Sequence, residues 1–558
     1  MKRIIGVVAG MTVLGAAVGG AGVANARPGT VPEAVSWGPC EEARPQTGAL
    51  GSALGEIGDA GRHVTRPVAA RRQAPVGQVE CGTLRVPLDY TVPEGQQISL
   101  ALNRIKGTAP RDGNHLGVML VNPGGPGASG RALARFVAAS LPADVAARYD
   151  VIGFDPRGVG SSEPAVSCVD AESYFAAPRA DNVPRDGAEE RALVGRAREY
   201  AEGCGNRWAW FLPYLTTENS ARDMDEIRGA LGEEKISYLG YSYGTYLGAV
   251  YATLFPQRVR RLVLDSVVDP AGVWYDVNIA QDYAFDQRHQ AFLDWIARHD
   301  DVYGLGRTRS GLGFAWYSMR SRLRSRPAGG VVGPSELDDV YTVGGYSSAA
   351  WPRLAQAFAD YVKKGDTAGL VAAYHNLAET GAAEENSYAV YLGVQCRDAA
   401  WPRDWTRWHA DTTKVAARAP FLAWPNAVYN APCAFWAERG GTPPSVGTAK
   451  LPPVLLIQAR HDAATPYQGA LRVRDLFPTS RLVTVAGGDH GVALAGNACA
   501  DRFLAAYLRD ATTPPRRIGQ GADAACQGVI EPRPITPMAS GGASGHLLLT
   551  RLLMGRVR

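Results

Sequence analysis

Short apolar runs punctuate this chain at residues 116–121, 151–154, 236–239, 262–264, 454–457 and 482–485, separated by helical or loop-like stretches. Each is too short for a helix, and none alternates with polar residues as a half-exposed strand does. Strands buried on both faces have that pattern, so the runs predict an α/β fold with a mostly parallel sheet flanked by helices. Residues 98–105 do alternate, as expected of a strand with one face on the core. From residue 270 to 447 the pattern changes to longer amphipathic stretches such as 280–298 and 351–364, which predicts a large helical cap inserted after the sixth core strand. Most of the 12 tryptophans fall in this insertion. They suit either a substrate-binding cap or the packed interior of a helical unit.

Composition narrows the class. At 558 residues, with 46% hydrophobic and 20% charged, the chain has material for a sizeable core and an insertion, which excludes a small binding module. Lys plus Arg number 58 against 54 Asp plus Glu, and no dense basic run stands out, so a nucleic-acid partner is not expected. The N-terminus reads Met1-Lys2-Arg3, an uncharged Gly/Ala-rich stretch over residues 4–23, then Ala24-Asn25-Ala26. A basic start, an apolar middle and a small-x-small ending specify a secretory signal peptide over residues 1–26 with a mature start at Arg27; an uncleaved anchor is the alternative. Downstream, nothing reaches 18 consecutive apolar residues, so a secreted, extracellular protein without a stable membrane anchor is expected. The remaining organisation reads as a flank with a flexible loop over residues 27–80, a first core segment 81–269, the cap 270–447, a second core segment 448–530 and a tail 531–558. The tail's basic, apolar end has no function legible in the sequence.

Export gives the eight cysteines a role. None forms a C-x-x-C pair and none has a histidine at zinc-ligand spacing, so no metal site is read. Their even number and sequential grouping predict four local disulfides, Cys40–Cys81, Cys168–Cys204, Cys396–Cys433 and Cys499–Cys526, with free buried thiols as the alternative.

The strongest chemical motif is Gly240-Tyr241-Ser242-Tyr243-Gly244, a G-x-S-x-G placed after a strand-like run and before a helix-like one. That context puts a serine on a tight elbow where only small neighbours fit. A serine hydroxyl needs a base to become a nucleophile, and the base needs an orienting carboxylate. Asp462 follows one late apolar run and His490 the next, in the order serine, acid, histidine; Asp265 is the main rival acid, while His461 and Asp489 are neighbours whose side chains point the other way. The early turn Asn122-Pro123-Gly124-Gly125-Pro126-Gly127 is suited to an oxyanion hole, with Gly125 as one amide donor, Gly124 as its alternate and Tyr243 as the other.

Together with Asp155-Pro156-Arg157-Gly158, Asp462-Ala463-Ala464-Thr465-Pro466 and Asp489-His490-Gly491, these motifs resemble the α/β-hydrolase peptidases of the prolyl and tripeptidyl aminopeptidase family, above all the secreted actinobacterial type, from Cys81 to about Cys526. The resemblance implies a secreted serine exopeptidase that releases short peptides, often tripeptides, from free N-termini of peptides or proteins without a cofactor. It maps nucleophile, acid and base onto Ser242, Asp462 and His490. Three departures stand out: the long loop between Cys40 and Cys81, an Asn where proline iminopeptidases carry His before the Pro-Gly-Gly-Pro-Gly turn, and the Leu/Arg-rich tail. A carboxylesterase with the same triad is the runner-up, and a catalytically silent binding protein of the same fold is a third reading. An aminopeptidase must also hold the substrate's ammonium at a fixed distance from the serine, for which Asp398, Glu385 and Glu384 in the cap are the candidates.

Overall fold

The computed structural model describes residues 34–40, 78–519, 521–534 and 545–555. The expected signal at 1–26, the cleavage point before Arg27 and nearly all of the loop in the 27–80 flank lie outside the described residues.

Among the described residues the strands form one ten-stranded sheet in the order β1-β2-β3-β5-β4-β6-β7-β8-β9-β10. They are β1 (Ser36–Pro39), β2 (Val79–Pro87), β3 (Gln97–Ile105), β4 (Val118–Asn122), β5 (Asp150–Phe154), β6 (Ile236–Tyr241), β7 (Val259–Asp265), β8 (Val454–Ala459), β9 (Ser480–Val485) and β10 (Ala524–Cys526). Pairing is antiparallel from β1 through β3 to β5 and parallel from β5 to β10. The continuous apolar runs have a direct cause. Leu239, Val263, Ile457 and Val483 face one side of the sheet, where they pack with Leu133 and Val137 of the helix Gly130–Ser140 and Leu504 of the helix Ala498–Asp510. Their neighbours Tyr238, Leu262, Leu264, Leu456 and Leu482 face the other, against Leu247 and Val250 of the helix Tyr243–Leu254 and Met224 of the helix Thr217–Ala230. Both faces are covered, so these strands are mostly apolar, and polar residues such as Ser237, Gln458 and Thr484 are buried within them.

Parallel pairing also aligns the strand ends. Asn122 lies opposite Gly240, Tyr241 opposite Asp265, Asp265 opposite Ile457, and Ala459 opposite Val485. The turns that follow β4, β6, β8 and β9 therefore meet along one edge, the carboxyl end of the sheet, where ligands bind in open α/β folds.

The helical insertion leaves this edge after β7 and returns at β8. β7 is the sixth strand of the series visible in the sequence; Ser36–Pro39 adds an edge strand ahead of it. Phe285, Trp295, Trp316, Tyr341 and Trp351 pack with one another in the cap's own core. Most cap tryptophans are thus interior packing. Trp274 is different and lines a cavity.

Disulfides join Cys40–Cys81, Cys168–Cys204, Cys396–Cys433 and Cys499–Cys526. The first ties β1 to β2 and the third ties the cap helix Ala382–Asp398 to the short helix Pro432–Phe435. Among the described residues no helix is long and apolar enough to cross a membrane.

Candidate active site

β6 ends at Tyr241 and the helix begins at Tyr243, so Ser242 stands alone in the turn, with φ 55° and ψ −128°. A positive φ is costly for any residue with a Cβ, and the surroundings must impose it. They do so with three bonds: the Ser242 amide donates to the Asp265 carbonyl at 3.1 Å, and the Thr245 amide and hydroxyl donate to the Ser242 carbonyl at 2.8 and 2.6 Å. Glycine is obligatory on either side. A Cβ on Gly240 would lie 2.4 Å from the Gly244 carbonyl oxygen, and one on Gly244 would lie 2.7 Å from that of Asn122.

His490 and Asp462 are both buried, and Nδ1 of the histidine is 2.9 Å from each carboxylate oxygen. The carboxylate is fixed in turn by the amides of Ala464 and Thr465, each 3.0 Å from Oδ1, and by the Thr465 hydroxyl at 3.0 Å from Oδ2. A carboxylate facing Nδ1 assigns the ring proton to that nitrogen and leaves Nε2 as the basic one. Nε2 is buried and has no hydrogen-bond partner. The rival acid does something else: the Asp265 carboxylate accepts from the amides of Val492 and Ala493 and from Ser266 Oγ, holding the loop that follows His490. Burial pushes its pKa up to about 7. Asp489 accepts from the amide and hydroxyl of Ser348, and His461 is exposed.

The glycine turn presses on Ser242. Gly124 and Gly125 have φ of 105° and 101°, and a Cβ on Gly124 would sit 2.9 Å from both Ser242 Cβ and the Tyr243 nitrogen. The Gly124 amide already donates to Asn122 Oδ1 at 2.9 Å, whereas Gly125 and Tyr243 lie on the cavity wall with Ser242. Asp155 and Arg157 of the Asp-Pro-Arg-Gly motif are not on that wall. Arg157 is buried in a two-pronged pair with Asp223, and Asp155 accepts from Ser129 just beyond the glycine turn.

The three acids considered for amine recognition separate. Asp398 is behind the wall: its carboxylate accepts from the Thr217 amide at 2.8 Å, the Thr217 hydroxyl at 2.6 Å and the Trp274 indole at 3.4 Å. Thr217 Oγ1 is in turn 2.8 Å from the Tyr243 hydroxyl, so Asp398 braces the residue whose amide the sequence offered as the second oxyanion donor. Burial pushes the Asp398 pKa up to about 6. Glu385 is buried against the Cys168 amide and the Tyr200 hydroxyl. Glu384 alone of the three lines the cavity, with Oε2 also accepting from the Gly381 amide at 2.9 Å.

The cavity holds about 300 Å³ between the sheet edge and the cap. Trp274, Asn278, Gln281 and Phe285 reach it from the helix Tyr275–Arg298 and its N-terminal flank, Tyr391 and Gln395 from the helix Ala382–Asp398. The sequence carried a signal for them, the three- and four-residue spacing of one helix face, without showing that this face looks onto a cavity and not into the cap core.

Comparison with known proteins gives a consistent picture. The family model for the alpha/beta hydrolase fold matches residues 117–496. A tripeptidyl aminopeptidase from Streptomyces coelicolor is 46% identical over 465 residues, 82% of this chain and 84% of that one. The serine protease Hip1 of Mycobacterium tuberculosis is 31% identical over 502 residues, 86% and 90% of the two chains. Carboxylesterase B of the same species is 32% identical over 457 residues, 78% and 85%.

Proposed function

This chain belongs to the alpha/beta hydrolase fold family, and from that premise we propose that it is a secreted serine exopeptidase releasing short peptides, tripeptides above all, from free N-termini. The observation that carries the catalytic reading is His490: Nδ1 engaged by both oxygens of Asp462, Nε2 buried and unpartnered, at the same sheet edge as the strained turn of Ser242.

In this reading His490 Nε2 takes the proton of the Ser242 hydroxyl as Oγ attacks the substrate carbonyl, and Asp462 stabilises the imidazolium that forms. The carbonyl oxygen becomes an oxyanion held by the amides of Gly125 and Tyr243. Collapse expels the leaving amine, which takes the proton from His490, and leaves an acyl-enzyme; a water deprotonated by the same nitrogen then attacks the ester and regenerates Ser242. Glu384, which lines the wall together with Asp339, is the acid proposed for the substrate's ammonium. The tripeptidyl aminopeptidase and the serine protease among the relatives support peptide substrates, and the four disulfides support an extracellular setting.

A carboxylesterase is the second reading, favoured by the carboxylesterase relative and by a triad that serves esters equally. Mass-spectrometric product analysis on matched peptides with free and acetylated N-termini decides between them. Three-residue products from the free set alone support the proposal; equal cleavage of both sets, or hydrolysis of esters only, refutes it.

A further inference from the structure

The tail closes with a helix, Gly545–Leu553, whose only polar residues besides Gly545 are His546, Thr550 and Arg551. Four of its five leucines divide between two otherwise separate interiors. Leu549, Leu552 and Leu553 pack into the cluster on the sheet face, with Leu133, Val137 and Val492. Leu547 and Met554 pack with the cap's interior, where Phe285 and Tyr341 lie. A polar pin accompanies them, His546 Nδ1 lying 2.7 Å from Ser347 Oγ.

Two contacts bring this helix to the candidate site. Gly491 follows His490 directly, and a Cβ there would come within 2.6 Å of Leu553 and 3.2 Å of Leu549, so the helix rests on the backbone of the histidine loop. At its far end a Cβ on Gly555 would meet Ser387 Oγ at 3.2 Å and Ala128 Cβ at 3.6 Å, the point where the cap helix Ala382–Asp398 meets the glycine turn. Leu553, Met554 and Gly555 accordingly line the same cavity as Ser242 and Gly125.

We infer that the C-terminal helix is a specificity element: Leu553, Met554 and Gly555 close the substrate cavity beside the glycine turn and limit how far a substrate extends on that side. The inference rests on the peptidase reading and adds to it a wall that selects short substrates. A cavity bounded by apolar side chains discriminates by volume, and a few methylenes added or removed there change relative rates about 10- to 200-fold. Met554 is half-buried, packing against the cap interior on one side and lining the cavity on the other.

The test uses the full chain with Met554→Ala and Met554→Trp, and a ladder of free-amine peptides from two to eight residues. Competent sites are counted with a fluorophosphonate that labels Ser242. Expected is an opposed change in profile: Met554→Trp lowers kcat/KM for the longer peptides at least tenfold relative to the shortest, and Met554→Ala raises it. Profiles that keep the unaltered protein's shape in both variants, including a uniform loss on every member, overturn the inference. If the unaltered protein takes the fluorophosphonate and hydrolyses p-nitrophenyl esters but cleaves no peptide, the peptidase reading has failed. Esters with acyl chains of two to twelve carbons then put the same question to the wall, by the same criterion.

Discussion

The amide of Ser242 donates to the carbonyl of Asp265 at 3.1 Å, while the carboxylate of that aspartate holds the amides of Val492 and Ala493 just beyond His490. One residue at the end of β7 thus anchors both the nucleophile turn and the histidine loop. Its geometry explains why an acid so placed is not the one facing the imidazole.

Asp265 also makes stability depend on pH. Its pKa is raised by burial to about 7 in the folded chain from 3.8, and that of Asp398 to about 6. Between those limits the folded state binds protons that the unfolded state has released, so stability falls as pH rises from about 4 to 7. Denaturant unfolding of Asp265→Asn across that range should give a shallower pH slope than the parent. An unchanged slope would show that Asp265 does not titrate there.

Ser242→Ala and His490→Ala should each reduce kcat by about 10^4 or more while the melting temperature stays near the parent's, and Asp462→Asn should come close to them. Active-site labelling together with steady-state rates on one chromogenic peptide checks this; turnover near the parent's in folded Ser242→Ala defeats the mechanism.

Glu384→Gln should weaken kcat/KM for free-amine peptides by about 10- to 100-fold, the loss of one charge-assisted bond of about 1.5–3 kcal/mol, and leave N-acetylated analogues where they are. Asp398→Asn should act otherwise. It braces Thr217 and Tyr243 from behind the wall, so kcat should fall for amides and activated esters alike. Selective loss on free amines in Asp398→Asn would return the ammonium to that residue.

Gly124→Ala should abolish activity even in a chain that folds, because the methyl meets Ser242 Cβ at 2.9 Å with φ at 105°. Gly125→Ala has 2.9 Å to the Gly127 nitrogen to contend with, also at positive φ. Fluorophosphonate labelling at matched far-UV circular dichroism measures both; near-parent labelling of Gly124→Ala contradicts the packing described.

What the sequence disclosed follows from how each element is buried. β4 to β9 were legible because both faces are covered, which enriches their middles in short apolar runs. β1 and β10 were not: Ser36–Pro39 and Ala524–Cys526 are short edge strands with no buried face long enough to leave a pattern. The turns that carry Ser242, Asp462 and His490 were legible because their glycines and order have few other uses. From its place in the cap Asp398 reads as an acid facing the cleft, and nothing local reveals that Thr217 and Trp274 enclose it behind the wall. The C-terminal helix was opaque because its leucines are shared between two interiors assembled from distant segments.

The insertion between β7 and β8 sets the order in which this chain can become an enzyme. β8 pairs in parallel with β7, so that contact waits until the whole cap has left the ribosome, and β9 with the histidine loop waits longer still. Ser242 leaves the ribosome 248 residues (490 − 242) ahead of His490, the residue proposed as its base. In the proposed mechanism a nascent chain that has not reached His490 has a serine on its turn and no base to activate it.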